Sequence, residues 1–171
     1  MGSDPLIGIV DEGDRYIECI LLGPSGTPYE GGVFPFHVIF PEQWPFDQSI
    51  VVFQDVIPYH VNVDPVTGMF PLIAGSGDPM MLLTLVGIFH TMIHMFLEPS
   101  RPSCWLSTCM RDRIQLYLSS NEAYELAARR HTRATALTPM WSTTTHHTGF
   151  DAESRKRVVW LLMLFSRIES Q

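Results

Sequence analysis

The sequence predicts an α+β domain: an antiparallel meander of about four strands backed by helices, with an extra helix at the C-terminal end. Three observations carry this. Phe34, Phe36, Val38 and Phe40 share one face of an alternating run whose other face holds His37 and Ile39, the period-two pattern of a half-buried strand. Further runs rich in β-branched and aromatic residues lie on both sides of it, joined by short turns, which implies an antiparallel sheet. From Met80 onward the chain turns helical and strongly apolar, supplying the layer that such a sheet needs on one face to make a core.

Taken in order, a short polar lead gives way to Arg15-Tyr16-Ile17-Glu18-Cys19-Ile20-Leu21-Leu22, a strand ending at Gly23. Gly26-Thr27-Pro28 and Gly31-Gly32 punctuate a hairpin-type connection into the alternating strand. A third strand is expected over Ser49 to Gln54. The stretch from Tyr59 to Leu72 then combines a His, an Asn, a Pro-bounded turn and a Gly, the density of irregular backbone expected where a scaffold holds a site.

Met80 to Leu97 is almost continuously apolar, at a length that approaches a membrane span. Gly87, His90 and His94 interrupt it and Asp78 and Glu98 flank it, so we read a buried helix and no transmembrane span. His90 and His94 lie four apart, as two zinc ligands on one helical face would. There is no Glu in a His-Glu-x-x-His arrangement and no third ligand nearby, so both are expected as core or cleft histidines and no metal is expected. Two shorter helices follow, about Trp105 to Leu118 and Asn121 to Thr135, with Ser119-Ser120-Asn121 supplying an N-cap for the second.

The upstream segment Gly23-Pro24-Ser25-Gly26-Thr27-Pro28-Tyr29-Glu30-Gly31-Gly32-Val33-Phe34 resembles the Gly-Pro-x-x-Thr-Pro-Tyr-x-Gly-Gly-x-Phe turn of ubiquitin-conjugating enzymes (E2s). Phe40-Pro41-Glu42-Gln43-Trp44-Pro45-Phe46 is similar to their Phe-Pro-x-x-Tyr-Pro-Phe. Pro79, Thr84-Leu85 and Glu98-Pro99-Ser100 resemble the residues bounding the family's central helix, and Tyr124, Ala127 and Ala128 its closing helices. The resemblance covers roughly Asp4 to Ala136 and implies a UBC-like fold. It implies a UBC-like domain over 1–136, without the helix that opens the family's fold, a linker over 137–150 and a C-terminal helix over 151–171.

The active-site region of the family reads His-Pro-Asn, a short loop, then Gly-x-x-Cys-Leu. Here the match is His60-Val61-Asn62, then Gly68-Met69-Phe70-Pro71-Leu72, which sets Pro71 at the position of the thioester-forming cysteine. Covalent acyl transfer needs a nucleophile that can become anionic, and proline has none. Asn62 corresponds to the family's asparagine that donates to the developing oxyanion, and without the thiol it reads as a remnant. The loop His60-Val61-Asn62-Val63-Asp64-Pro65-Val66-Thr67-Gly68 also resembles that of a cysteine-less group, the fused-toes type, which serves as an adaptor in Hook complexes.

The resemblance therefore implies a catalytically inactive E2-like domain acting as an adaptor or scaffold. One alternative is a ubiquitin E2 variant that binds ubiquitin or an active E2 as a cofactor. A second is an active enzyme with a relocated nucleophile at Cys104, near Arg101, where a basic neighbour lowers a thiol's pKa. Ser103-Cys104-Trp105 equally reads as the buried start of a helix. No cofactor is expected.

The tail is the second candidate site. Asp151 can cap a helix in which Arg155-Lys156-Arg157 precedes eight apolar residues, Val158 to Phe165, enough to wrap its whole circumference, so part of it must be covered. Packing back onto the domain is the first reading. Val158, Trp160, Leu161, Leu164 and Phe165 are otherwise the residues for a partner groove or a coiled-coil adaptor protein, and the basic start also suits contact with a membrane surface.

A net charge of −7 over 171 residues argues against a phosphate-neutralising surface, so no nucleic-acid partner is expected. The clusters Arg111/Arg113, Arg129/Arg130/Arg133 and Arg155-Lys156-Arg157 read as solvated helix faces. Lys156 is the only lysine against ten arginines. Cys19, Cys104 and Cys109 are odd in number and lack metal spacing, which fits a reduced compartment, the cytoplasm or also the nucleus.

Overall fold

The central strand shows most directly how the sequence builds the sheet. In β3 (Val33–Ile39) Phe34, Phe36 and Val38 are fully buried while the residues between them stay half-buried or exposed. The computed structural model describes residues 6–72, 84–99 and 110–137. Among these, β2 (Tyr16–Leu22) pairs antiparallel with β3, setting Cys19 opposite Phe36 and Leu21 opposite Phe34. On the other side β4 (Ile50–Phe53) sets Phe53 opposite Phe36 and Val51 opposite Val38.

Two further strands complete the sheet, in the order β1-β2-β3-β4-β5. β1 (Ile7–Glu12) lies outside β2, and the two-residue β5 (Met69–Phe70) lies outside β4. The described residues thus form a five-stranded antiparallel meander where about four strands were expected. The polar lead is in fact a strand. Ile7 and Ile9 alternate toward the core, but Asp11 and Glu12 follow a register shift after Ile9 and mask so short a pattern.

Helix α1 (Leu85–Leu97) begins where Thr84 caps it, its Oγ1 accepting from the Gly87 N–H at 3.1 Å. Ile88, Met92, Met95 and Phe96 recur at helical spacing and form the stripe laid on the sheet's core face. His90 and His94 fall on the opposite side and are exposed, which corrects the expectation of core or cleft histidines; the apolar neighbours in sequence hid the face they occupy. No helix among the described residues is long and apolar enough to cross a membrane.

Next come α2 (Arg111–Ser119) and α3 (Asn121–Thr135). Ser120 caps α3 as expected, its Oγ accepting from the Ala123 N–H at 3.2 Å. Tyr124, Ala128 and Thr132 make the buried stripe of α3, and Arg130 and Arg133 remain on its solvated side. The predicted helical segments at 80–83 and 105–109, Cys104 and Cys109, and the tail from 138 to 171 lie outside the described residues. Cys19 is buried in β2, where burial above all, with Glu18 and Glu12 adding, holds its thiol well above its ordinary pKa.

Candidate functional site

The loop between β4 and β5 is built from the bottom by its turn chemistry. Asp64 Oδ1 accepts from the N–H groups of Val66 and Thr67 at 2.8 and 2.9 Å, closing a turn around Pro65. The Gly68 N–H returns to the Asp64 carbonyl at 2.9 Å, and the Asp64 N–H to the Met69 carbonyl at 3.0 Å. Gly68 has φ +69, and a Cβ there would stand 2.3 Å from the Phe53 carbonyl oxygen, so a side chain is excluded both by conformation and by backbone. This turn delivers β5 to β4 and leaves Pro71 half-buried directly after it, with the Leu72 carbonyl accepting from the Gln48 side-chain amide.

His60 lies behind the loop with no exposed surface. Its ring stacks on Phe96 with centroids 4.9 Å apart. Nδ1 accepts from the Asn62 N–H at 3.0 Å, and Nε2 faces the Met95 carbonyl at 3.0 Å. A carbonyl can only accept, so the proton sits on Nε2 and the imidazole is neutral. Burial drives its pKa down to about 4. With both nitrogens engaged, His60 is a structural strut and has no lone pair left for a substrate proton. Asn62 is also buried, and among the described residues its Nδ2 has no hydrogen-bond partner.

The hairpin loop and the closing helices hold this backbone in place. Tyr29 and Tyr124 meet hydroxyl to hydroxyl at 2.9 Å. The Val61 N–H donates to the Tyr124 oxygen at 3.1 Å and the Tyr29 hydroxyl donates to the Tyr59 carbonyl at 3.1 Å. One chain of donors therefore runs from Val61 through both phenols to Tyr59, and every member is satisfied. Burial pushes the Tyr124 phenol up to about 12 and that of Tyr29 well above its usual value, so both stay protonated. Tyr124→Phe is expected to leave the buried Val61 N–H without its acceptor and to cost about 1–3 kcal/mol, read as a lower urea midpoint at unchanged slope.

Arg113 was expected on a solvated face and is not there. Its guanidinium carbon stands 4.4 Å from the Tyr59 ring centroid, and Nη1 donates to the Pro58 and Val63 carbonyls at 3.3 and 3.4 Å. Burial lowers its pKa, with the surrounding tyrosines and Asp64 opposing. One ring nitrogen of His131 meets the Ile57 carbonyl at 2.9 Å. The backbone from Ile57 to Val63 is thus tied to α2 and α3 at three carbonyls, those of Ile57, Pro58 and Val63, and to the hairpin loop at that of Tyr59. Sequence reasoning missed Arg113 and His131 because their partners are backbone atoms far away in the chain; Tyr29 and Tyr124 were visible only as members of motifs.

This loop, sheet and helix order is that of a known family, and the family model for ubiquitin-conjugating enzyme matches residues 7–132. The chain belongs to the ubiquitin-conjugating enzyme family. Ubiquitin-conjugating enzyme E2-24 kDa of Saccharomyces cerevisiae is 28% identical to it over 123 residues, 72% of this chain and 55% of that protein. Ubiquitin-conjugating enzyme E2 N of Macaca fascicularis is 38% identical over 66 residues, 36% of this chain and 43% of that protein. The chain spans about half the length of these curated relatives. Within this E2 domain the structure brings His60, Asn62 and Pro71 into one loop region. Cys104 and the tail residues Val158, Trp160, Leu161, Leu164 and Phe165 lie outside the described residues.

Among the described residues no group of three or more His, Cys, Asp or Glu side chains could hold a metal ion.

Proposed function

We propose that this chain is an E2-like domain without conjugating chemistry, acting in the ubiquitin pathway of the cytoplasm as an adaptor or scaffold for other proteins. The observation that carries this reading is Pro71. It follows β5 in the segment Gly68-Met69-Phe70-Pro71-Leu72, at the position where the family's motif has its thiol, and it offers no atom that can form a thioester. The engaged nitrogens of His60 and the buried amide of Asn62 support it further, since neither is presented to an incoming acyl group. The apolar tail residues Val158, Trp160, Leu161, Leu164 and Phe165 are the surface through which such an adaptor would hold a protein partner, a coiled-coil protein among the candidates.

Incubation of the full chain with ubiquitin-activating enzyme, ATP and ubiquitin tests it. No reductant-sensitive adduct is expected on a non-reducing gel. An adduct that disappears in Cys104→Ser would establish a relocated nucleophile and end the adaptor reading. Titration with isotopically labelled ubiquitin separates the remaining alternative: saturable shifts in ubiquitin's signals would make the domain a ubiquitin-binding E2 variant.

A further inference from the structure

The sheet has two faces, and only one of them is used by the core. Tyr16, Leu22, Ile39, Ile50 and Met69 project from the other, each between 37% and 46% exposed, and none belongs to the core cluster. The strand register joins four of them at one end of the sheet: Tyr16 is opposite Ile39, Ile39 is opposite Ile50, and Met69 is opposite Val52, whereas Leu22, opposite Val33, lies at the other end beyond the pair Glu18 and His37. At its β1 margin Asp11 stands directly across from Glu18. Like charges so placed repel, and among the described residues neither carboxylate has a cation in ion-pair contact, the two ion pairs being Arg15–Glu42 and Arg129–Glu125. The surface is thus an apolar strip with an acidic border.

The chain carries the complement of this pattern. Arg155-Lys156-Arg157 is followed at once by the eight apolar residues Val158 to Phe165. The tether also begins in the right place. The Val33 N–H donates to the Ala136 carbonyl at 3.3 Å, and a Leu137 methyl lies 3.3 Å from where a Gly31 Cβ would stand, so the described chain ends beside the start of β3. A flexible connection the length of residues 138–154 has a typical reach of roughly 20–25 Å. A seven-residue strand is about 23 Å long. Such a tether also supplies a millimolar effective concentration, enough for a modest contact to be occupied most of the time.

We infer that the segment 155–165 docks on the outer sheet face of its own chain, its basic triplet against Asp11 and Glu18 and its apolar run over Tyr16, Ile39, Ile50 and Met69. This concerns one chain alone and stands whether or not the adaptor reading does. If both hold, the tail cannot serve a partner and the sheet at once, so capture of a partner uncovers the sheet face.

The single lysine makes the test specific. A water-soluble carbodiimide applied to the full chain at low micromolar concentration joins an amine to a carboxylate with loss of water, and peptide mass spectrometry locates the new amide. An intrachain link from Lys156 to Asp11 or Glu18 is expected. Its yield should fall at least fivefold in the double variant Leu161→Ser/Leu164→Ser, which keeps both reacting groups and adds no competing carboxylate. Links from Lys156 only to acids of α3 such as Glu122, links only between two chains, or an unchanged yield in the double variant would overturn the proposal.

Discussion

Replacing Phe96 by alanine is expected to destabilise the domain by about 3–5 kcal/mol, the range for deleting a fully buried aromatic side chain. Phe96 is completely buried, and its ring meets five others, those of Tyr29, Phe34, Phe53, His60 and Phe70, at centroid distances of 4.8 to 6.4 Å. These rings come from the hairpin loop, two strands, the site loop and β5, so the cavity would open where five segments meet and no single one can collapse into it. Domains of this kind hold roughly 5–15 kcal/mol in total, so the loss is a large share. Urea denaturation followed by tyrosine and tryptophan fluorescence measures it. Phe96→Leu, which refills most of the volume, should lose less.

The second large effect is one of pH and belongs to His60. Its pKa falls from 6.5 to about 4 on folding, chiefly through burial. The unfolded chain therefore takes up a proton near pH 6.5, while the folded one resists until about pH 4. The stabilising contribution is present in full above pH 6.5 and disappears as the pH falls from there to about 4. It amounts to about 3 kcal/mol over that window. Arg113, which also disfavours a second positive charge nearby, acts in the same direction. Urea midpoints of the wild type and of His60→Gln between pH 7.5 and 4.5 give the measurement. The variant starts less stable, and the gap should narrow steadily on acidification.

Much of the architecture could be read from residues in order, because alternation and capping are local signals. The run from Phe34 to Phe40 declared its buried face, and Ser120 its cap, without reference to anything distant. What failed to show was either too short or too remote. β1 offers two isoleucines before its acids, and β5 is two residues long, below what any periodic pattern can reveal. His90 and His94 were misplaced because a helix with apolar neighbours all round does not announce which side meets the sheet. In the site, Pro71 and Asn62 were legible from a motif. The engagement of His60 was not, since one of its partners is a main-chain carbonyl 35 residues away. Arg113 reaches 50 and 55 residues back to the carbonyls it holds.

The hydroxyl pair of Tyr29 and Tyr124 joins positions 95 residues apart. Contacts of such separation form slowly, since a long stretch of chain must be ordered before they can close. During synthesis the hairpin and its strands leave the ribosome well before α3 exists, so the segment around His60 must wait, unlatched, for α3 to arrive. Its final shape is accordingly among the latest features to set.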